Sequence, residues 1–181
     1  EYTVTVEHYY MDTSGNYPDK PSVAEDLTPY YGETLVHKNL AREIKGLSFN
    51  ENKTIQENGN RTQTEVKENT TVRLYYDRTV CTVTYDYRTN GGTSADKETV
   101  KTYYGADADL SVAAYKNGWE HAGWNTKSDS ETGLTRYTVT GNVTLYAVYR
   151  KDITVTFVDF AQTYKREGSM YNNDTYALID A

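Results

Sequence analysis

Three short segments of the chain share one alternation. Tyr2-Thr-Val-Thr-Val6, Cys81-Thr-Val-Thr-Tyr85 and Ile153-Thr-Val-Thr-Phe157 each set an apolar or aromatic residue at the first, third and fifth positions and threonine between. A period of two is the signature of a strand that buries one face and exposes the other. The segments start at residues 2, 81 and 153, so the chain reads as a series of modules that open on the same strand.

The module ends repeat as well. Asn69-Thr-Thr-Val-Arg-Leu-Tyr-Tyr-Asp-Arg78 and Gly141-Asn-Val-Thr-Leu-Tyr-Ala-Val-Tyr-Arg150 read as closing strands, each followed almost at once by the next opening strand. Tyr30-Tyr31-Gly32 and Tyr103-Tyr104-Gly105 hold matching places inside the first two modules. Two complete modules result, 1–79 and 80–151, with 152–181 beginning a third that stops before its closing strand. Asn90-Gly91-Gly92 is a turn signal, because glycine accepts positive φ without a Cβ clash. It should end the first strand of the second module. Leu110, Val112, Ala113, Ala114 and Tyr115 predict about two helical turns within 107–116, closed by Asn117-Gly118. Leu35, Leu40 and Ile44 predict a sparser helix within 34–44, ended by Gly46. The expected fold class is α+β and β-rich: tandem small β-grasp-like modules, each a mostly antiparallel or mixed sheet with one short helix or loop crossover.

Composition first argues against a core and then qualifies that. Val, Leu, Ile and Phe number 31 of 181 residues, about 17%, a level at which chains begin to look disordered. Against this stand 19 Tyr and 27 Thr, residues suited to a half-buried pleated surface, and only three Pro. The formal charge of −7 disfavours a nucleic-acid partner. No apolar run approaches the ~20 residues that a membrane span needs. Residue 1 already sits inside an alternating strand, which reads as a segment of a longer protein. With one cysteine, the chain can form no internal disulfide.

The second module closely resembles the Listeria-Bacteroides repeat, also called the internalin B-repeat. The likeness rests on Val83-Thr-Tyr-Asp-Tyr87, Asn90-Gly-Gly92, Tyr104-Gly105, Asn117-Gly-Trp119, Ala122-Gly-Trp124 and Asn142-Val-Thr-Leu-Tyr-Ala-Val-Tyr149. The first module looks like the mucin-binding-protein type of repeat, on Val4-Thr-Val-Glu-His-Tyr-Tyr10, Gly15-Asn-Tyr17, Tyr31-Gly32, Gly46-Leu-Ser-Phe-Asn50 and Val72-Arg-Leu-Tyr-Tyr-Asp-Arg78. These resemblances imply a Gram-positive-type secreted or cell-wall-attached protein, extracellular, with β-grasp-like modules in series and no enzymatic activity. They also imply a role in adhesion or in spacing an adhesive head from the cell. The implied partners are a host glycoprotein, mucin or other cell-surface ligand, and neighbouring repeats of the same chain.

Candidate chemistry is sparse. Trp119, Tyr103 and Tyr30 are the candidate ligand-binding residues, since exposed aromatic rings stack on sugar rings or contact proteins. Trp124, Cys81, Val83, Tyr85 and Leu145 are expected in the core, Cys81 as a small buried hydrophobe at the inward position shared with Tyr2 and Ile153. Each Tyr-Tyr pair in a strand should send one ring inward and leave the other on a Thr-rich surface. His8, His37 and His121 lie apart with no His-Glu-x-x-His motif, so no metal or acid-base role is expected and no cofactor is implied. Residues 125–133 read as a polar hairpin loop, since they lack the acidic spacing of a calcium loop. Five Asn-x-Thr sequons begin at Asn52, Asn60, Asn69, Asn142 and Asn173; chance gives roughly two or three for this composition, so they carry little weight.

Overall fold

Thr-spaced strands need a neighbour on each edge and cover on one face, and two sheets provide these. The computed structural model describes residues 1–93, 97–159 and 162–171. The chain falls into two units: Glu1–Cys81 with Thr102–Ala106, and Thr82–Lys101 with the residues from Asp107 onward. It is mostly sheet with one short α-helix among the described residues, a β-rich α+β protein.

The first unit contains β1 (Val4–Tyr10), β2 (Val23–Leu27), β3 (Thr34–Val36), a 3-10 turn over His37–Leu40, β4 (Leu47–Phe49), α1 (Glu51–Glu57), β5 (Gln63–Glu65) and β6 (Thr70–Arg78). The main sheet has the order β2-β1-β6-β4. β1 runs parallel to β6, with Val4 opposite Thr70 and Tyr10 opposite Tyr76, while β2 and β4 flank them antiparallel. Val4, Val6, Val72, Leu74 and Tyr76 share one face, and Leu35 of β3 and Val66 beyond β5 cover it.

The opposite face is also covered, which the expectation of an outward, Thr-flanked tyrosine did not foresee. Tyr9 and Tyr75 are both buried, their rings stacked at 4.8 Å between centroids, and Tyr17 meets Tyr75 edge-on. Beside them α1 serves as a substitute strand. β4 pairs only with the end of β6, so the middle of β6 has an open edge. There the Thr54 hydroxyl accepts from Tyr75 N, and the Asn58 amide both accepts from Arg73 N and donates to Arg73 O. A strand edge whose backbone groups are paired in this way offers no template for association.

The second unit repeats the arrangement. Its strands are β7 (Val80–Asp86), β8 (Glu98–Tyr103), β9 (Glu120–Asn125), β10 (Val143–Asp159) and β11 (Gln162–Tyr171). The order is β11-β10-β7-β8, with β9 on β10. β7 and β10 are parallel, Val83 facing Val143 and Tyr85 facing Leu145, and β9 is antiparallel to β10 with Trp124 opposite Ala147. In both units an asparagine heads the closing strand and locks the entry of the parallel pair: Asn69 Oδ1 accepts from Thr3 N at 2.9 Å, and Asn142 Oδ1 from Thr82 N at 2.8 Å. β10 continues through the third Thr-spaced segment and pairs there with β11. Of that third repeat, residues 160–161 and 172–181, and with them the Asn173 sequon, lie outside the described residues.

Both helix expectations are corrected. Residues 107–116 are not helical, because their backbone is claimed from elsewhere. Asp109 O accepts the Tyr85 hydroxyl, Val112 O accepts Trp124 Nε1, and the Asp109 side chain folds back onto Ser111 N. Residues 34–44 form β3 and a 3-10 turn. The α-helix lies later, capped by Asn50, whose side chain accepts from Lys53 N.

Replacing Asn58 by alanine removes the side-chain partners of the Arg73 backbone N and O and of Thr54 O. The expected loss is about 2 kcal/mol of unfolding free energy, measured by urea titration, whereas Asn52, exposed on α1, should tolerate alanine with little change.

Candidate binding surface

The aromatic residues singled out by sequence occupy three environments. Trp124 is fully buried on β9, its indole edge against Tyr85 and Tyr87 at 4.9 and 5.2 Å between ring centroids. Cys81, Val83, Tyr85 and Leu145 are each buried in their strands. Trp119 precedes β9 and is half-buried.

One face of Trp119 is occupied. Lys116 Nζ lies 3.9 Å above the ring centroid and also donates to Asn90 O at 3.0 Å. An ammonium over an indole face is a favourable cation–π pair. Any sugar ring stacking on Trp119 must use the other face. The lysine is fixed by the turn that carries it, since Lys116 and Trp119 form a bridge closed by Trp119 N donating to Lys116 O, with Gly118 at φ 74°. Positive φ at the third turn position is what a type II turn demands of that glycine.

Asn90 and Gly92 anchor the adjoining loop. Asn90 is buried and donates to Ala147 O and Ser128 O. A Cβ on Gly92 would collide with the Tyr149 hydroxyl and Tyr87 O, so the Asn-Gly-Gly signal encodes close packing as well as a turn. Burial pushes the Tyr149 hydroxyl up to about 12. Asp86 is buried too. Burial would raise its carboxyl, but hydrogen bonds from Thr89 and Arg88 and the Lys97 ammonium hold it below the usual range.

Tyr103 and Tyr30 are sequence equivalents in different surroundings. Tyr103 is half-buried, with its hydroxyl where a Cβ on Gly15 would fall 2.5 Å away. Tyr30 is 76% exposed and Tyr31 68% exposed. Elsewhere on the first unit, Lys38, Arg42, Glu43, Lys45, Leu47 and Phe49 line an open groove of mixed charge.

The histidines are structural in their placement. His8 is fully buried between Tyr76 and Glu25, at 2.8 and 3.1 Å. Arg42 N donates to the Tyr76 hydroxyl, and the Arg42 guanidinium pairs with Glu25. A neutral His8 that donates from Nε2 to Glu25 and accepts from Tyr76 at Nδ1 closes this ring of contacts. Burial lowers the His8 pKa below its ordinary 6.5 despite the nearby carboxylate, and burial likewise lowers His37 and His121. Among the described residues, no three His, Cys, Asp or Glu side chains gather as a metal site.

The geometry defines a β-rich protein built of repeated sheets. Residues 82–148 match the family model of the Listeria-Bacteroides repeat domain, the stretch from the first strand of the second unit to its closing strand. Comparison with curated proteins gives no match. No helix among the described residues is long and apolar enough to cross a membrane.

Sequence reasoning had located the Trp119 ring but not the lysine that covers it, nor Asn58 and the two strand-heading asparagines. Both asparagines stand at the start of the closing-strand segments in the sequence, and their equal placement there is the signal for the role that the structure gives them.

The buried histidines make stability depend on pH. With folded-state pKa values below 6.5, the native state holds fewer imidazole protons than the unfolded state, so stability is complete above the ordinary value and declines as pH falls through it. Glu25, whose pKa is lowered by its bonds to His8 and Arg42, loses its contribution only at more acidic pH. The urea midpoint should therefore fall between about pH 7.5 and about pH 5.5, and the fall should be smaller in His8→Gln.

Proposed function

We propose that this is a non-enzymatic repeat segment of a bacterial cell-surface protein, a spacer that also contributes to adhesion, acting outside the cell. The observation that carries the reading is the repeat itself. One sheet topology is built twice, and the second copy matches a bacterial repeat family. A parallel pair of opening and closing strands with an antiparallel flank in each copy supports a β-grasp-like module. The first copy is read as a mucin-binding-protein-like repeat on its Tyr-rich strands. Connections are short: Thr79 alone separates β6 from β7, and β10 passes without interruption into the third opening strand. Such junctions leave little linker entropy, which suits a spacer.

A second reading is a carbohydrate- or mucin-binding module. The exposed Tyr30 and Tyr31 rings favour it, with the half-buried Trp119, one face of which carries Lys116, as a further stacking candidate.

Two measurements separate the readings. The spacer predicts no retention on mucin or glycan arrays and a maximum dimension in X-ray scattering that salt does not change. Glycan binding that disappears in Trp119→Ala with the urea midpoint intact would replace the spacer by the binding module. Hydrolytic turnover of an arrayed glycan would contradict both.

A further inference from the structure

Three asparagines of the chain precede a glycine: Asn58, Asn90 and Asn117. Such a bond is chemically reactive, because a glycine without Cβ leaves its backbone nitrogen open to the asparagine side chain. The nitrogen gives up its proton and bonds to asparagine Cγ, and the side-chain amide leaves with that proton as ammonia. Water then opens the cyclic imide at one carbonyl to aspartate, or at the other to isoaspartate, and returns a proton to the nitrogen. The attack needs a side chain free to turn and a glycine N–H without an acceptor.

Two of the three sites are locked by the fold. Asn58 ends α1 and is buried. Its Nδ2 donates to Thr54 O and to Arg73 O, both at 2.7 Å, and its Oδ1 accepts from Arg73 N at 3.0 Å. Asn90 is buried as well, with Nδ2 donating to Ser128 O and Ala147 O, both at 2.9 Å. The nitrogen that would attack it is also engaged, since Gly91 N donates to Arg88 O at 2.8 Å. Cyclisation at either asparagine must first break these bonds in the protein interior.

The third site is open. Asn117 and Gly118 are both exposed, at the tip of the turn that Lys116 and Trp119 close. Among the described residues, the Asn117 side chain meets the Tyr115 hydroxyl at 3.5 Å, the outer limit of a hydrogen bond, and none accepts from Gly118 N. No described atom stands within 4 Å of where a Cβ on Gly118 would be. Turning the Asn117 side chain onto that nitrogen therefore displaces no packed group.

We propose that Asn117 is a site of spontaneous modification, the one Asn-Gly bond that the fold leaves reactive, and that its conversion to isoaspartate uncovers Trp119. The turn links the two steps. It holds Lys116 Nζ 3.9 Å above the Trp119 ring and is closed by Trp119 N donating to Lys116 O at 3.0 Å. Isoaspartate routes the backbone through its Cβ and so inserts a methylene into this turn, which breaks the closing bond and carries the lysine off the ring. Aspartate keeps the backbone length, so it adds a carboxylate beside Lys116 and leaves the turn standing. The proposal rests on the surroundings of each asparagine and not on the spacer or the glycan reading.

Prolonged incubation of the intact chain at mildly alkaline pH, followed by peptide mapping with enzymatic methylation of isoaspartate, tests the first step. Asn117 should convert at least about tenfold faster than Asn58 or Asn90, as the breaking of about two hydrogen bonds at those sites implies. In guanidinium chloride the three rates should converge, because only the fold sets them apart. Equal rates in the native protein, or a difference that survives denaturation, would overturn the proposal. Acrylamide quenching of tryptophan fluorescence tests the second step in wild type, Asn117→Asp and Asn117→Ser, with the urea midpoint verifying the fold of each. Quenching should rise with isoaspartate content in wild type and stay at its starting level in fresh Asn117→Asp and in aged Asn117→Ser. Isoaspartate that forms without added quenching, or a rise in either variant, would contradict the uncovering of Trp119.

Discussion

Parallel pairing of the first strand with the closing strand is the constraint on which each unit depends. Adjacent parallel strands require a crossover that carries the chain from the end of one back to the start of the other. In the first unit that crossover is everything between Tyr10 and Thr70, and in the second everything between Asp86 and Val143. The pair lies at the centre of its sheet, so its register decides which residues are buried. Val4, Val6, Val72 and Leu74 meet on one face because Val4 stands opposite Thr70. A slip by one residue would carry the whole set to the other face. Asn69 and Asn142 guard against that slip at the mouth of each pair, where a side-chain carbonyl accepts from a backbone N–H of the opening strand.

A chain so poor in aliphatic residues completes its core with aromatic rings and buried polar atoms. Tyr76 shows how: its ring is fully buried against Tyr10 and Phe49, and its hydroxyl bridges His8 and Arg42 N. Trp124 does the same in the second unit, with its ring against tyrosines and its N–H on Val112 O. These side chains provide apolar area and satisfy backbone groups in loops that have no ladder of their own. The architecture thus tolerates long irregular crossovers, provided that each carbonyl facing the core finds such a donor.

The same fact explains what could be read from the sequence. The opening and closing strands were legible because alternation is local and the repeat states it more than once. Cys81, Val83, Tyr85 and Leu145 follow from that register, and each is buried. The apolar residues of 107–116 suggested a helix, but what prevents one is a claim on their carbonyls by Tyr85 and Trp124, a long-range relation with no local trace. α1 carries only Ile55 as an aliphatic residue, so its apolar face is too thin to read, although Asn50 and Asn58-Gly59 mark its ends. At the candidate surface, Trp119 was legible as an exposed-type aromatic. The lysine above it was not, because its place depends on the turn at Gly118.

Native-state hydrogen exchange resolved by residue tests the central claim most directly. If the parallel pairs carry the fold, the slowest amides lie in β1 and β6 of the first unit and in β7 and the Val143–Tyr146 stretch of β10 in the second, with exchange set by global unfolding of each unit. Protection concentrated in the outer strands β2, β8 or β11, with the parallel pairs exchanging through local opening, would contradict the account.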